Sequence, residues 1–266
     1  MPPAATSVRA EPRETVILLH GLGRTRWSMW RLEQTLRRDG YRVVNLTYPS
    51  RTCSVEALTR DFFAPLVAAQ GAARLNLVTH SMGGIVLRCY LRAYPLPNLG
   101  RVVMLAPPNS GSELADRLKT TWYYRKVNGP AGQQLGLAGL PCTLGPWPAG
   151  AGELGIIAGD RSLNPLFSSW LPGPNDGKVT VERTRLAGMT DFIVLPHAHT
   201  WMAWRAPVIA QVQAFLRQGR FVPGSPLAAE AGRGQTFGGG WSWMRTLASV
   251  TSPPPSSRCQ VTCSLG

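Results

Sequence analysis

The stretch Leu75-Asn76-Leu77-Val78-Thr79-His80-Ser81-Met82-Gly83-Gly84-Ile85-Val86-Leu87 decides the fold. An apolar strand runs into a serine and then straight into a helix with no loop residues between, so the chain must turn very tightly at Ser81. Such a turn needs small residues two positions to either side; Gly83 meets this in full and Thr79 only in part. The turn exposes the Ser81 hydroxyl at the sheet edge and leaves it at a helix N-terminus, where unpaired amides and the helix dipole favour developing negative charge. Serines often do no more than cap a helix. Here the uninterrupted strand, turn and helix give Ser81 the setting of a nucleophile.

Working outward, a second strand, Thr15 to Leu19, ends in His20-Gly21-Leu22-Gly23, whose glycines allow close backbone approach. An oxyanion hole needs two converging amides, one from the residue after the nucleophile and one from a loop after a neighbouring strand. Met82 and Leu22 are the candidates.

From Thr15 onward short apolar runs alternate with helical patterns, the signature of βαβ units around a mainly parallel sheet. Strands are predicted at Thr15 to His20, Tyr41 to Leu46, Leu75 to Thr79, Gly100 to Ala106, Leu154 to Ala158 and Asp191 to Leu195. The first helix has Thr25 as its cap, an apolar stripe of Met29, Leu32 and Leu36, and Gly40 as its stop. Others run over Val55 to Gln70, with a kink expected at Pro65, from Ser81 to just before Pro95, and over Ala206 to Gln218. Ser110 to Gly152 reads as an insertion, helical over Glu113 to Tyr124 and then rich in Gly and Pro; Arg161 to Gly177 reads as a Pro-rich loop. Insertions between core strands are where a substrate-binding cap can vary while the sheet holds position. After Phe221 the pattern gives way to Gly and Pro, and the chain divides into a flexible N-terminus over 1–14, a domain over 15–222 and a low-complexity, disordered tail over 223–266.

Composition excludes several classes. Of 266 residues 44% are hydrophobic and 16% charged, enough apolar material for a real core. The longest apolar runs, such as Val102 to Ala106, fall far short of the roughly 18 residues of a membrane span, and the first fourteen residues lack the apolar core of a secretory signal. A cytoplasmic protein is the expectation. The net charge of +14 raises the question of nucleic acid, but only three of the 28 basic residues are lysine, and the arginines are spread along the chain instead of gathered on one element. Nucleic acid is therefore not an expected partner. Five cysteines, odd in number and widely spaced, argue against a disulfide framework, and Cys259 and Cys263 have no histidine near them to suggest zinc.

With Val16-Ile17-Leu18-Leu19-His20-Gly21-Leu22-Gly23, Val78-Thr79-His80-Ser81-Met82-Gly83-Gly84, Asn175-Asp176-Gly177 and His199, the chain resembles the α/β-hydrolase superfamily, in particular small bacterial lipases and esterases, over roughly Thr15 to Phe221. Thr79 stands where the Gly-x-Ser-x-Gly pattern has its first glycine. The resemblance implies a mainly parallel sheet flanked by helices, with insertions after the sixth and seventh strands of the family order. It also implies a Ser, Asp, His triad in that chain order.

The residues alone leave the acid open between Asp160, at the end of a strand, and Asp176, with Asp191 a distant third; the resemblance selects Asp176. His20 and His80 belong to the two turns and should point away from Ser81, while His197 and His199 both follow the last strand; the resemblance selects His199. It thus implies a serine hydrolase acting on small-molecule or lipid esters through Ser81, Asp176 and His199, with Leu22 and Met82 holding the oxyanion, and with no metal or organic cofactor. Thioesterases, amidases, acyltransferases and non-catalytic binding proteins share the fold. Trp27, Trp30, Trp122, Tyr123, Tyr124, Trp201 and Trp204 lie on three segments expected to meet near Ser81, which predicts an aromatic-lined pocket for a hydrophobic, uncharged acyl group.

Overall fold

The computed structural model of the protein describes residues 14–71, 74–142 and 144–222. The expected flexible N-terminus, up to residue 13, and the tail from residue 223, with Cys259 and Cys263, lie outside these residues. Six strands, β1 (Thr15–Leu19), β2 (Arg42–Asn45), β3 (Leu75–His80), β4 (Leu99–Leu105), β5 (Leu154–Gly159) and β6 (Asp191–Leu195), form one sheet in the order β2-β1-β3-β4-β5-β6. Every pairing is parallel.

The side-chain period of two explains why the strands read as unbroken apolar runs. Ile17, Leu19, Leu75, Leu77, Met104 and Ile156 belong to one core cluster. Val16, Leu18, Val78, Val103, Leu105 and Ile157 belong to the other. Both faces of the sheet are covered, so neither parity can be polar. Helices α1 (Trp30–Arg38) and, last among the described residues, α9 (Ala206–Gln218) cover the second face through Leu32, Leu36, Val208, Val212 and Phe215. The other face is covered by α2 (Val55–Ala57), α3 (Ala64–Ala68) and α4 (Met82–Ala93). Among the described residues no helix is long and apolar enough to cross a membrane.

Several local expectations need correction. Thr25 does not cap through its side chain; a 3₁₀ turn at Arg26–Met29 precedes α1, and Ser28 Oγ donates to Thr25 O at 2.8 Å. The helix expected over Val55 to Gln70 runs from Val55 to Ala68 with Leu58–Phe63 widened into a π-helix, in which Ala64 N reaches back to Thr59 O, and with Pro65 in the first turn of α3, where its missing N–H costs least. The helix expected over Glu113 to Tyr124 is split between α5 (Glu113–Leu118) and α6 (Trp122–Gln133), the latter kinked at Gly129, because Ser112 and Thr121 each start one by accepting from Ala115 N and Tyr124 N. The Pro-rich loop holds the short α7 (Pro165–Ser169), capped by Asn164, and α8 (Val181–Thr184) follows Asp176.

The cysteine expectation also fails: Cys89 in α4 is disulfide-bonded to Cys142 at a sequence separation of 53. Linear spacing carries no information about two Cα atoms that the fold brings to 5.4 Å. The insertion between β4 and β5 is thereby anchored to the helix that starts at Ser81.

Candidate active site

Ser81 sits between β3 and α4 at φ 54°, ψ −122°, a backbone conformation that residues with a side chain rarely adopt. Two constraints hold it there. Ser81 N donates to Leu105 O on the neighbouring strand at 2.8 Å, and a Cβ on Gly83 would lie 2.6 Å from Leu19 O. Only glycine lets α4 start this close to β1. The hydroxyl makes no capping bond to the helix. It meets His199 Nε2 at 2.9 Å instead.

His199 opens a 3₁₀ turn (His199–Trp204) after β6, and its Nδ1 lies 2.7 Å from Asp176 Oδ2. Nδ1–H donates to the carboxylate, which leaves Nε2 as the acceptor facing the Ser81 hydroxyl. Asp176 Oδ1 accepts from Lys178 N at 2.9 Å and Val179 N at 2.8 Å, and His199 N donates to Asp176 O at 3.1 Å. Asp176 and His199 are thus tied through both side chain and backbone. The loop carrying Asp176 is fixed in turn by Asn175, whose Oδ1 accepts from Gly177 N and Ser168 Oγ, both at 3.0 Å.

The rival residues lie elsewhere. Asp160 is solvent-exposed beside Arg161. Asp191 accepts from Phe192 N and Phe221 N at the edge of the sheet. His197 is buried with no hydrogen-bond partner at Nε2 among the described residues, and burial, then Arg205, push its pKa down.

Next to Ser81, a Cβ on Gly21 would stand 3.1 Å from Ser81 Cβ, so the loop after β1 presses against the elbow. His20 secures that loop. Its Nδ1–H donates to Gly21 O at 2.9 Å, its Nε2 accepts from Tyr48 N at 3.2 Å, and its ring stacks on Tyr48 at 4.0 Å. Tyr48 Oη donates to His20 O, and Ser50 Oγ accepts from Gly23 N at 3.0 Å. Burial lowers the His20 pKa to about 4, so the ring is neutral at pH 7. Leu22 borders the cavity, and Met82, as the first residue of α4, has one of the amides that lack an intrahelical acceptor.

His80 departs from expectation: it does not turn away from Ser81 but lines the same cavity, donating from Nε2 to His199 O at 2.9 Å. Burial and then His199 hold its pKa well below the ordinary value, so it is a neutral brace for the backbone of His199.

The cavity above Ser81 has a volume of about 390 Å³. Its walls come mainly from the insertion, with Ser112, Leu114, Ala115, Leu118, Tyr123, Tyr124, Asn128 and Leu135. Phe167, Lys178, Val179, Arg24 and Pro108 complete it. The aromatic lining expected from three segments is therefore corrected. Trp27, Trp30, Trp122 and Trp201 are exposed, and Trp30 stands against Trp204 with ring centroids 6.1 Å apart; only Tyr123 and Tyr124 of the seven expected aromatics line the cavity. Sequence reasoning missed Phe167, Arg24, Lys178 and His80 as wall residues.

Comparison with known proteins agrees with this architecture. The model of the Alpha/beta hydrolase family matches residues 16–236. A probable esterase of rice, PIR7A from Oryza sativa subsp. indica, is 34% identical over 89 residues, covering 30% of this chain and 34% of that protein. The match thus spans about a third of that relative's length. The mature form of the Bacillus licheniformis lipase BlEst2 superposes with a TM-score of 0.63 at 19% identity, covering 81% of this chain and 95% of the lipase. The phospholipase PlaB of Legionella pneumophila does so with a TM-score of 0.60 at 18% identity, covering 83% and 62%. At these identities the two structures show likeness of fold.

Proposed function

Because the chain belongs to the Alpha/beta hydrolase family, we propose that it is a serine hydrolase that cleaves carboxylic esters, of the lipase or esterase type. The observation that carries this reading is the unbroken chain from Ser81 Oγ through His199 to Asp176, at 2.9 and 2.7 Å, opening on a largely apolar cavity. The esterase and lipase names among its relatives support it.

His199 Nε2 takes the proton as Ser81 Oγ forms its bond to the ester carbonyl carbon. Asp176 stabilises the imidazolium so formed, and the Leu22 and Met82 amides hold the oxyanion. Collapse of the tetrahedral intermediate breaks the bond to the alcohol, which leaves with the proton from His199. Water, deprotonated by the same nitrogen, then releases the acid from the acyl-enzyme and restores Ser81.

The acyl chain lies among Leu114, Leu118 and Leu135. A buried methylene contributes about 0.8 kcal/mol, so kcat/KM should rise roughly fourfold per carbon until the cavity is full. The test is a chain-length panel of oxygen esters and matched thioesters, run beside fluorophosphonate labelling of wild type and Ser81→Ala. Labelling and turnover of the wild type, both abolished in the variant, support the reading. Residual turnover in Ser81→Ala removes the nucleophile, and thioesters cleaved far faster than their oxygen counterparts move the protein to the thioesterases.

A further inference from the structure

Two cations converge on the cavity above Ser81. Arg24 follows the His20-Gly21-Leu22-Gly23 loop, and its backbone N–H donates to Gly21 O at 3.2 Å, which ties its position to the loop beside the nucleophile. Lys178 lies two residues past Asp176; its N–H bonds Asp176 Oδ1 and its carbonyl accepts from Ser112 Oγ at 2.8 Å. Both backbones are therefore fixed, and both residues line the cavity.

Among the described residues no Asp or Glu lines the cavity to answer their charge, and Asp176, with a fully buried side chain, is already committed to His199 and two backbone amides. Among the described residues neither Arg24 nor Lys178 has a carboxylate within 4.0 Å, whereas Arg101 and Arg183 hold Glu153 and Glu113. Lys178 is solvent-exposed and Arg24 half-buried, so the two cations border the cavity from its open side, where an anion can meet them without leaving water. Crowding by protein and then Arg24 hold the Lys178 pKa below its ordinary value, with Asp176 opposing, so the two cations stand in each other's field.

We propose that Arg24 and Lys178 form an anion subsite beside Ser81, and that the ester cleaved there carries a fixed negative charge, phosphate or carboxylate, near its scissile carbonyl. The inference rests on the reading of the site as an ester hydrolase. It replaces the uncharged substrate expected from sequence with an amphiphile, its charge at Arg24 and Lys178 and its chain among Leu114, Leu118 and Leu135.

The experiment compares matched pairs: 1-octanoylglycerol 3-phosphate against 1-octanoylglycerol, and the octanoyl ester of glycolate against ethyl octanoate. It does so for wild type, Arg24→Gln, Lys178→Gln and the double variant. Calorimetric binding of octyl phosphate and of octanol to Ser81→Ala, with and without the Arg24 and Lys178 changes, needs no turnover. The charged member of at least one pair should be preferred, and the ratio of its kcat/KM to the neutral member's should fall about tenfold or more for each cation removed. Which pair responds separates a phosphate substrate from a carboxylate one. Octyl phosphate should bind more tightly than octanol, and the double variant should lose that difference. Equal kcat/KM within both pairs overturns the proposal while leaving the ester hydrolase standing, as does an equal loss on charged and neutral esters, which would make the cations partners of the oxyanion. Charge-dependent binding without turnover of any ester supports the subsite and sinks the hydrolase reading.

Discussion

The Cys89–Cys142 disulfide makes the most direct prediction about stability. The bond closes a 53-residue loop containing every residue of the insertion that lines the cavity. On the chain-entropy account, a loop of this length removes enough freedom from the unfolded chain to contribute about 4 kcal/mol at 25 °C. Little of this should appear as lost contacts in the folded state. Arg88, next to Cys89, donates to Asn109 O at 2.7 Å and to Gly145 O at 2.8 Å, so both ends of the insertion stay pinned to α4 without the bond. Replacing both cysteines, as Cys89→Ala with Cys142→Ala, should therefore lower the free energy of unfolding by up to about 4 kcal/mol, or Tm by roughly 8–16 °C for a domain of this size. Urea denaturation of wild type, with and without reductant, and of the double variant measures it, and a non-reducing digest must yield the cross-linked peptide pair. Absence of that peptide, or a change under about 1 kcal/mol, would refute the reasoning. Disulfides persist chiefly in oxidising compartments. Finding the bond in protein alkylated at the moment of lysis would therefore count against the cytoplasmic location expected from sequence.

Asp176→Asn should reduce kcat on the order of 10⁴-fold through the wrong His199 tautomer, and Asp160→Asn should have little effect; comparable losses in single-turnover assays would reopen the choice of acid. Thr79 Oγ1 is buried without a hydrogen-bond partner among the described residues, so Thr79→Val should leave urea stability unchanged or raise it by about 1 kcal/mol; a clear loss would reveal a missed partner. His20 has a folded pKa of about 4 against 6.5 when unfolded, so the unfolded state binds more protons between these values. Stability should be full above pH 6.5 and decline by about 3 kcal/mol on acidification to about pH 4, with His80 acting in the same direction; a flat urea midpoint across that window contradicts it.

What was legible in the sequence was what lies next to itself along the chain. Leu75 to Leu87 carries strand, turn and helix in one segment, and Gly83 announces the close approach to Leu19 O that forces Ser81 to positive φ. Asp160 and Asp176 were hard to tell apart because both follow β5; in the structure the Asn175 amide bends the loop so that Asp176 meets His199. The aromatic pocket was misread although a local signal existed. Met29, Leu32 and Leu36 define the buried stripe of the first helical segment, and Trp30, one position past Met29, is turned about 100° from it toward solvent. No such local signal exists for Cys89 and Cys142, for Phe167 in the cavity wall, or for the pairing of Arg24 with Lys178, since each joins segments that only the folded sheet brings together. The elbow at Ser81 lies within one segment, whereas the cavity beside it is walled by the loops after β1, β4 and β5. A one-dimensional reading therefore reaches Ser81 before it reaches the walls around it.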